Sequence, residues 1–174
     1  MKELILGGAR SGKSYYAEVC AADSGLDVTY VATAQAHDDE MAQRIQHHQQ
    51  QRPSHWKLIE EPIELVSVLK EEANSSRCIL VDCLTLWLSN QLCSENNVNP
   101  LQKNIDDLID SVPKLPGQIL FVSNEVSMGV VPLGEVSRQF VDEAGRLHQR
   151  LAAICDKVTL MVAGIPSHIK GKEK

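Results

Sequence analysis

Residues 7–14, GGARSGKS, constrain the fold more than any other stretch of this 174-residue chain. They follow a short apolar run at residues 2–6, typical of a buried strand, and lead into residues 15–22, typical of the start of a helix. Glycines at this spacing let successive backbone N–H groups point inward around phosphate oxygens, and a helix N-terminus adds further donors. The stretch therefore predicts a phosphate-binding loop between a strand and a helix. An ordinary tight turn with an exposed lysine is the alternative.

Two residues of this loop and one carboxylate have expected roles. Lys13 would reach the outer phosphates of a nucleotide, and the Ser14 hydroxyl would hold Mg²⁺. Asp82 ends a second apolar run, at residues 78–82, and we expect it to hold the same ion directly or through water. The alternative role for Asp82 is to cap the helix predicted from Leu84 onward.

The remaining apolar runs alternate with helical patterns along the whole chain. This alternation predicts one α/β domain over residues 1–174, like that of P-loop NTPases, with a mostly parallel sheet and helices on both faces. The last strand is predicted at residues 157–163, and the basic tail after Ile165 is expected to fray. Ligands of such sheets bind at the carboxyl ends of the strands. The residues expected to converge there are residues 7–14, Thr33, Ala34, Glu60, Asp82, Asn124 and Glu125.

Composition narrows the possible partners and the location. The formal net charge of −6 argues against a nucleic-acid partner, which favours a basic face. The five cysteines include no C-x-x-C pair, so a zinc site or redox pair is not expected. With no room for a signal peptide before the first strand and no apolar run near 20 residues, we expect a cytoplasmic protein without a membrane span.

The sequence RIQHH at residues 44–48 is the second unusual stretch. Adjacent histidines on a helix point about 100° apart, so only one of His47 and His48 can face a given partner. A neutral imidazole is a competent nucleophile towards phosphorus, and Arg44 could hold phosphate oxygens one turn away. A surface histidine pair on a glutamine-rich helix explains the same residues. Glu125 remains either a general base for a substrate hydroxyl or a turn residue.

Taken together, these stretches resemble the bifunctional adenosylcobinamide kinase / adenosylcobinamide-phosphate guanylyltransferase family of the cobalamin pathway. The residues that carry the resemblance are 7–14, 30–34, 38–48 with Arg52, Pro53 and Trp56, 81–85 and 123–132. The DDEM…RI…HH and NEVSMG runs are the most specific of these, since many nucleotide-binding proteins share the phosphate loop. The resemblance implies that ATP or GTP phosphorylates adenosylcobinamide. It further implies that GTP guanylylates a histidine, which passes GMP to the new phosphate to give adenosylcobinamide-GDP.

The resemblance also implies roles for individual residues. The family's nucleophilic histidine falls on His47, and Lys13 joins it as the second catalytic residue. The implied nucleotide contacts are Gly7, Gly8, Ala9, Arg10, Ser11, Gly12, Lys13, Ser14, Ala32, Thr33, Ala34, His48, Gln49, Gln50, Gln51, Glu60 and Asp82. The implied assembly is a homotrimer with sites between subunits, with Mg²⁺ as cofactor.

Two other functions fit the phosphate loop. A monofunctional small-molecule kinase would form no protein–GMP adduct. A GTP-dependent switch that binds a partner protein is less well supported, because the chain has no Asn-Lys-x-Asp guanine signature.

Overall fold

The computed structural model describes residues 1–35, 53–93 and 100–171. The described strands and helices are β1 Lys2–Gly7, α1 Lys13–Ala22, β2 Asp27–Ala32, β3 Lys57–Glu60, α2 Leu65–Glu72, β4 Arg77–Asp82, α3 Leu84–Cys93, α4 Leu101–Ser111, β5 Gln118–Asn124, α5 Glu135–Ile154, β6 Lys157–Val162 and β7 Ile165–Lys170. A short 3-10 helix, Val112–Lys114, follows α4. The helix predicted between residue 38 and Pro53 lies outside the described residues.

The strands form one seven-stranded sheet in the order β3-β2-β4-β5-β1-β6-β7. Strands β1 to β6 pair in parallel, and β7 is antiparallel to β6. The prediction of a mostly parallel sheet is confirmed. The order puts β5 between β1, which precedes the phosphate loop, and β4, which ends in Asp82. The alternation of strands and helices along the sequence does not determine that order.

Successive residues of the central strands face opposite sides of the sheet. Leu4 and Leu6 of β1 pack into one apolar cluster, and Ile5 between them packs into the other. Among the described helices, α2 to α5 contribute to the first cluster and α1 contributes Ala17 and Ala21 to the second. None of the described helices combines the length and the apolar character needed to cross a membrane.

The longest helix, α5, begins earlier than its apolar pattern indicates. Its buried residues Ala144, Leu147, His148 and Leu151 recur at helical spacing and pack on the sheet. The sequence marked this helix from Phe140 onward, whereas the structure begins it at Glu135. The first turn of α5 is exposed, so the apolar periodicity of the sequence does not extend over it.

The prediction that the tail after Ile165 frays is wrong. Val162 and Ile165 face each other across a two-residue turn, and the chain continues back along β6 as β7. Both turn residues, Ala163 and Gly164, have positive φ angles of 51° and 80°. Positive angles at both central positions match the right-handed twist of paired strands, which favours a tight hairpin here.

Candidate phosphate-binding site

The carboxyl ends of four strands lie side by side at one edge of the sheet. Gly7 of β1 is in register with Asn124 of β5, and Asp82 of β4 is in register with Val122 of β5 and Ala32 of β2. The edge therefore brings together the phosphate loop and Asp82, which are far apart in the sequence. One strand, β5, separates them, so the two strand ends are about 10 Å apart at the usual strand spacing.

The loop between β1 and α1 takes its shape from two left-handed residues. Arg10 and Gly12 have φ angles of 54° and 90°, and Ser11 N–H donates to the Gly8 carbonyl over 3.3 Å. The loop has no room for a side chain at Gly7, where a Cβ atom would lie 2.4 Å from Ser11 Oγ and 2.8 Å from the Met161 carbonyl oxygen. Glycine at this position is therefore a steric requirement.

The β6–β7 turn braces the loop from outside. Gly164 N–H donates to the Ser11 carbonyl over 3.0 Å, and a Cβ atom on Gly12 would meet the Gly164 Cα atom at 3.3 Å. The close approach of the two backbones favours glycine at position 12, and the positive φ angle favours glycine at position 164, where a Cβ atom would meet nothing within 4 Å. The turn, whose first residue the sequence assigned to the last strand, is thus part of the support of the site.

Two polar side chains of the loop are buried without a full set of partners. Lys13 is 9% exposed, and its ammonium donates to the Gly8 carbonyl over 3.2 Å. Burial lowers the pKa of Lys13, and the nearby Asp82 carboxylate opposes that shift. The Ser11 hydroxyl is buried and has no hydrogen-bond partner among the described residues. Because buried polar groups are normally paired, both atoms indicate a site for an anionic ligand.

Asp82 is held at the end of β4 by a tyrosine. The Tyr30 hydroxyl donates to Asp82 Oδ2 over 2.8 Å, and Tyr30 is itself buried. Asp82 and the Ser14 hydroxyl, at the second residue of α1, provide hard oxygen ligands, the type that Mg²⁺ prefers when nucleotide phosphates complete its coordination. The donor set therefore fits Mg²⁺. Among residues 1–35, 53–93 and 100–171, no group of three or more His, Cys, Asp or Glu side chains is arranged to hold a metal ion by itself.

Thr33 ties the end of β2 to the end of β4. Its hydroxyl donates to the Cys83 carbonyl over 2.7 Å and accepts from the Cys83 N–H over 2.9 Å. The Thr33 N–H donates to the Asp82 carbonyl, and the Asn90 amide donates to the Thr33 carbonyl. Thr33 is thus buried in a framework next to Asp82, and its own side chain points into that framework.

Glu60 lies farthest from the phosphate loop. It ends β3, which is four strands from β1, or about 19 Å at the usual spacing. The next residue, Glu61, donates its N–H to the Ala32 carbonyl over 2.9 Å, which joins this end to β2. Ala32 and Ala34 lie between the phosphate loop and Glu60 and are partly exposed. An extended ligand could contact this whole edge, and a phosphate group could not.

Five residues named from the sequence, His47, His48, Gln49, Gln50 and Gln51, lie outside the described residues. The structure therefore leaves their relation to the phosphate loop as a prediction.

Sequence reasoning missed a buried polar chain beside the loop. Ser123 Oγ lies 2.7 Å from His148 Nε2 and 3.1 Å from Thr85 Oγ1. The His148 Nδ1 atom lies 3.8 Å from Glu125 Oε2. One signal was available: His148 occurs four residues after Ala144, on the face of α5 that otherwise carries buried apolar residues.

Comparisons with known proteins give a consistent picture. The family described as cobinamide kinase / cobinamide phosphate guanyltransferase matches residues 3–169. The chain is 54% identical over 172 residues to the bifunctional adenosylcobalamin biosynthesis protein CobP of Pseudomonas aeruginosa, which covers 99% of each protein. It is 41% identical to the bifunctional adenosylcobalamin biosynthesis protein CobU of Salmonella typhimurium, over 98% of this chain and 100% of that one. Among solved structures, the RadB recombinase has a TM-score of 0.50 at 16% identity, over 91% of this chain and 73% of that chain, and shows the fold alone.

Proposed function

The chain belongs to the cobinamide kinase / cobinamide phosphate guanyltransferase family and is an enzyme of that family, and we propose that its single phosphate loop serves both reactions. In the first, the hydroxyl of the adenosylcobinamide aminopropanol group attacks the γ-phosphorus of ATP or GTP and the nucleoside diphosphate leaves. In the second, an imidazole nitrogen of His47 attacks the α-phosphorus of GTP and pyrophosphate leaves. A phosphate oxygen of adenosylcobinamide phosphate then attacks the same phosphorus, which breaks the P–N bond and gives adenosylcobinamide-GDP.

The loop with its buried lysine is the observation that carries the proposal. Lys13 donates to the Gly8 carbonyl of its own loop over 3.2 Å, a contact that a phosphate oxygen could replace. The unpartnered Ser11 hydroxyl and the loop N–H groups would add donors to the same anion. Desolvation weakens the charged form of Lys13, and a bound triphosphate would restore it.

Ser14 and Asp82 are the residues that would hold Mg²⁺ in this site. The ion, when bound, neutralises charge on the phosphate oxygens. Asp82 keeps its orientation through the Tyr30 hydroxyl, so its position does not depend on the ion alone.

The nucleoside half of the substrate would extend from the loop along the edge formed by β4, β2 and β3. Ala32, Thr33, Ala34 and Glu60 follow or end those strands. His48, Gln49, Gln50 and Gln51 are proposed to complete the nucleotide contacts, a proposal that rests on the family resemblance. The same resemblance implies a homotrimer in the cytoplasm. Light scattering on the purified protein would test the trimer.

The two reactions need different phosphorus atoms to face the acceptor. In-line displacement fixes which side of a phosphoryl group must be open, so one nucleotide pose does not serve both. We therefore expect either two registers of the nucleotide on the loop or a shift of the segment that carries His47 between the steps.

Labelling with α-³²P GTP and Mg²⁺ tests the covalent step. We expect a protein–GMP adduct that survives alkali and breaks down in acid, as a phosphoramidate does. His47→Ala should abolish the label and leave most phosphoryl transfer to adenosylcobinamide intact, whereas His55→Ala, the control at an exposed histidine before β3, should retain the label. Undiminished labelling of His47→Ala would place the nucleophile elsewhere, and no adduct in the wild type would favour the monofunctional kinase.

Lys13→Ala tests whether the loop is shared. Both reactions use the triphosphate cradle, so both rates should fall by at least about a hundredfold. Lys70→Ala, which removes an exposed lysine from α2, is the control for loss of one positive charge. Normal kinase turnover in Lys13→Ala would contradict the shared loop.

A further inference from the structure

A chain of hydrogen bonds runs beneath the site through three elements, α3, β5 and α5. Asn124 N–H donates to Thr85 Oγ1 over 2.6 Å, and Thr85 Oγ1 lies 3.1 Å from Ser123 Oγ. Ser123 Oγ lies 2.7 Å from His148 Nε2, and the other ring nitrogen faces Glu125 at 3.8 Å. Thr85, Ser123 and His148 are all less than 9% exposed. We call these residues the buried hydrogen-bond chain.

One direction of donation gives both hydroxyls a good acceptor and turns the ring N–H towards a carboxylate. If the Thr85 hydroxyl donates to Ser123 and the Ser123 hydroxyl donates to His148 Nε2, the proton of the neutral ring sits on Nδ1 and points at Glu125. The opposite direction needs a proton on Nε2 and leaves the Thr85 hydroxyl to donate to the Cys83 thiol, which is a weak acceptor. The neutral ring with its proton on Nδ1 therefore fits this geometry best.

The buried hydrogen-bond chain links the two halves of the phosphate site. Thr85 lies at the start of α3, directly after the segment that carries Asp82. At the other end, Asn124 is in register with Gly7, and Glu125 N–H donates to the Gly7 carbonyl over 3.0 Å. The buried hydrogen-bond chain thus fixes the end of β5, and β5 sets the spacing between the phosphate loop and Asp82.

Glu125 closes a turn directly after β5. Its Oε1 atom accepts the Ser127 N–H over 2.7 Å and also the Ser127 hydroxyl, while Oε2 lies 3.8 Å from His148 Nδ1. Of the two roles that the sequence left open for Glu125, general base or turn residue, the geometry favours the turn residue.

We propose that His148 is a positioning residue for phosphoryl transfer, and this inference rests on the proposed function. Its neutral ring, oriented by Glu125, holds Ser123 and Thr85 so that Asp82 and the phosphate loop keep the spacing that the triphosphate requires. Protonation of the ring reverses the two hydroxyl donations, loosens the end of β5 and slows the kinase step.

The surroundings of the ring set the pH range in which protonation of His148 slows the kinase step. Burial lowers the pKa of His148, and the Glu125 carboxylate, the charged group that acts on the ring, opposes that shift. The net direction is downward from 6.5, so the ring is neutral at pH 7 and becomes protonated only below about pH 6.5. The loss of activity is therefore expected on the acid side.

The test is the pH profile of γ-phosphate transfer to adenosylcobinamide, with kcat and KM for the nucleotide measured between pH 5 and 9. In the wild type, kcat should fall below about pH 6.5 with one ionisation. His148→Gln keeps an acceptor for Ser123 but does not titrate, so it should retain kcat at pH 8 within about threefold and lose that ionisation. His148→Leu removes the acceptor, and kcat at pH 8 should fall by about tenfold or more.

Two further variants separate positioning from a purely structural role. Ser123→Ala should lower kcat like His148→Leu if the hydrogen bond is what matters, and it changes only one small buried side chain. His55→Gln, at an exposed histidine before β3, should leave the wild-type profile unchanged. Thermal unfolding of each variant shows whether it is folded at the assay temperature.

An acid limb that persists in His148→Gln, or a kcat at pH 8 that is unchanged in both His148→Leu and Ser123→Ala, would overturn the positioning role while the kinase assignment stands. Wild-type enzyme that transfers no γ-phosphate to adenosylcobinamide would overturn the proposed function, and this inference with it.

Discussion

Thr33→Val isolates the contribution of one side chain to the alignment of β2 and β4. Thr33 is 0% exposed, and its hydroxyl both donates to the Cys83 carbonyl and accepts from the Cys83 N–H. Valine has nearly the same shape, so the substitution removes both hydrogen bonds without opening a cavity. The Cys83 carbonyl keeps a second partner, because the Trp87 N–H also donates to it over 3.1 Å.

The expected loss of stability follows from these contacts. The Cys83 N–H would lose its partner in a buried position, which costs about 1–3 kcal/mol, and the lost bond to the carbonyl adds about 0.5–1.5 kcal/mol. The extra buried methyl group of valine offsets about 0.8 kcal/mol. The free energy of unfolding should therefore fall by about 2 kcal/mol, which lowers Tm by about 4–8 °C in a protein of this size.

Thermal and urea unfolding of the purified variant measure this loss, and Thr29→Val is the matched control. Thr29 lies on β2, four residues before Thr33, and is also 0% exposed, but its hydroxyl makes a long 3.4 Å contact with Glu72 Oε2. The Tm of Thr29→Val should differ from that of the wild type by no more than about 2 °C. Equal losses in the two variants would refute the reasoning, because the effect would then belong to any buried threonine in this part of the chain.

Two further predictions concern the loop and an ion pair. Gly7→Ala should lower Tm by several degrees and abolish nucleotide binding, because its Cβ atom would lie 2.8 Å from the backbone carbonyl oxygen of Met161. Gly8→Ala, whose Cβ atom meets nothing within 4 Å, is the control and should keep the wild-type Tm. Equal Tm values of the two variants would contradict the steric argument. The hydrogen bond from Lys57 is the main cause that lowers the pKa of Glu72, so the ionised carboxylate stabilises the fold above pH 4.5 and this stabilisation is lost as the pH falls through the lowered value. Glu72→Gln should therefore lower Tm at pH 7 by about 1–3 °C. Differential scanning calorimetry at pH 3 should find a smaller gap between the variant and the wild type, and a gap as large as at pH 7 would argue against the ion pair.

The sequence predicted those parts of the site that depend on neighbouring residues. The phosphate loop is a local arrangement of glycines between a strand and a helix, so its spacing is visible along the chain. The position of Asp82 at the end of a strand was predicted for a similar reason, since it ends a continuous apolar run. Both predictions needed only the rule that strand ends of a parallel sheet meet at one edge.

Other parts of the site depend on contacts between distant residues. His148 and Ser123 are 25 positions apart, and nothing local marks their hydrogen bond. Strand β7 was missed because Ile165–Lys170 includes proline, serine, histidine and lysine, and pairing with β6 stabilises it. The Ala163–Gly164 turn was the available signal, although alanine is an unusual residue at a positive φ angle.

The contact between Gly164 and the phosphate loop has a consequence for the newly made chain. Residues 7–14 are synthesised well before the hairpin that braces them. Until that hairpin emerges, β1 also lacks β6, one of its two neighbours in the sheet. A nascent chain without β6 and β7 should therefore bind nucleotide poorly, and the affinity should rise once both strands have left the ribosome and paired. Ligand affinity would then report the docking of this hairpin during synthesis.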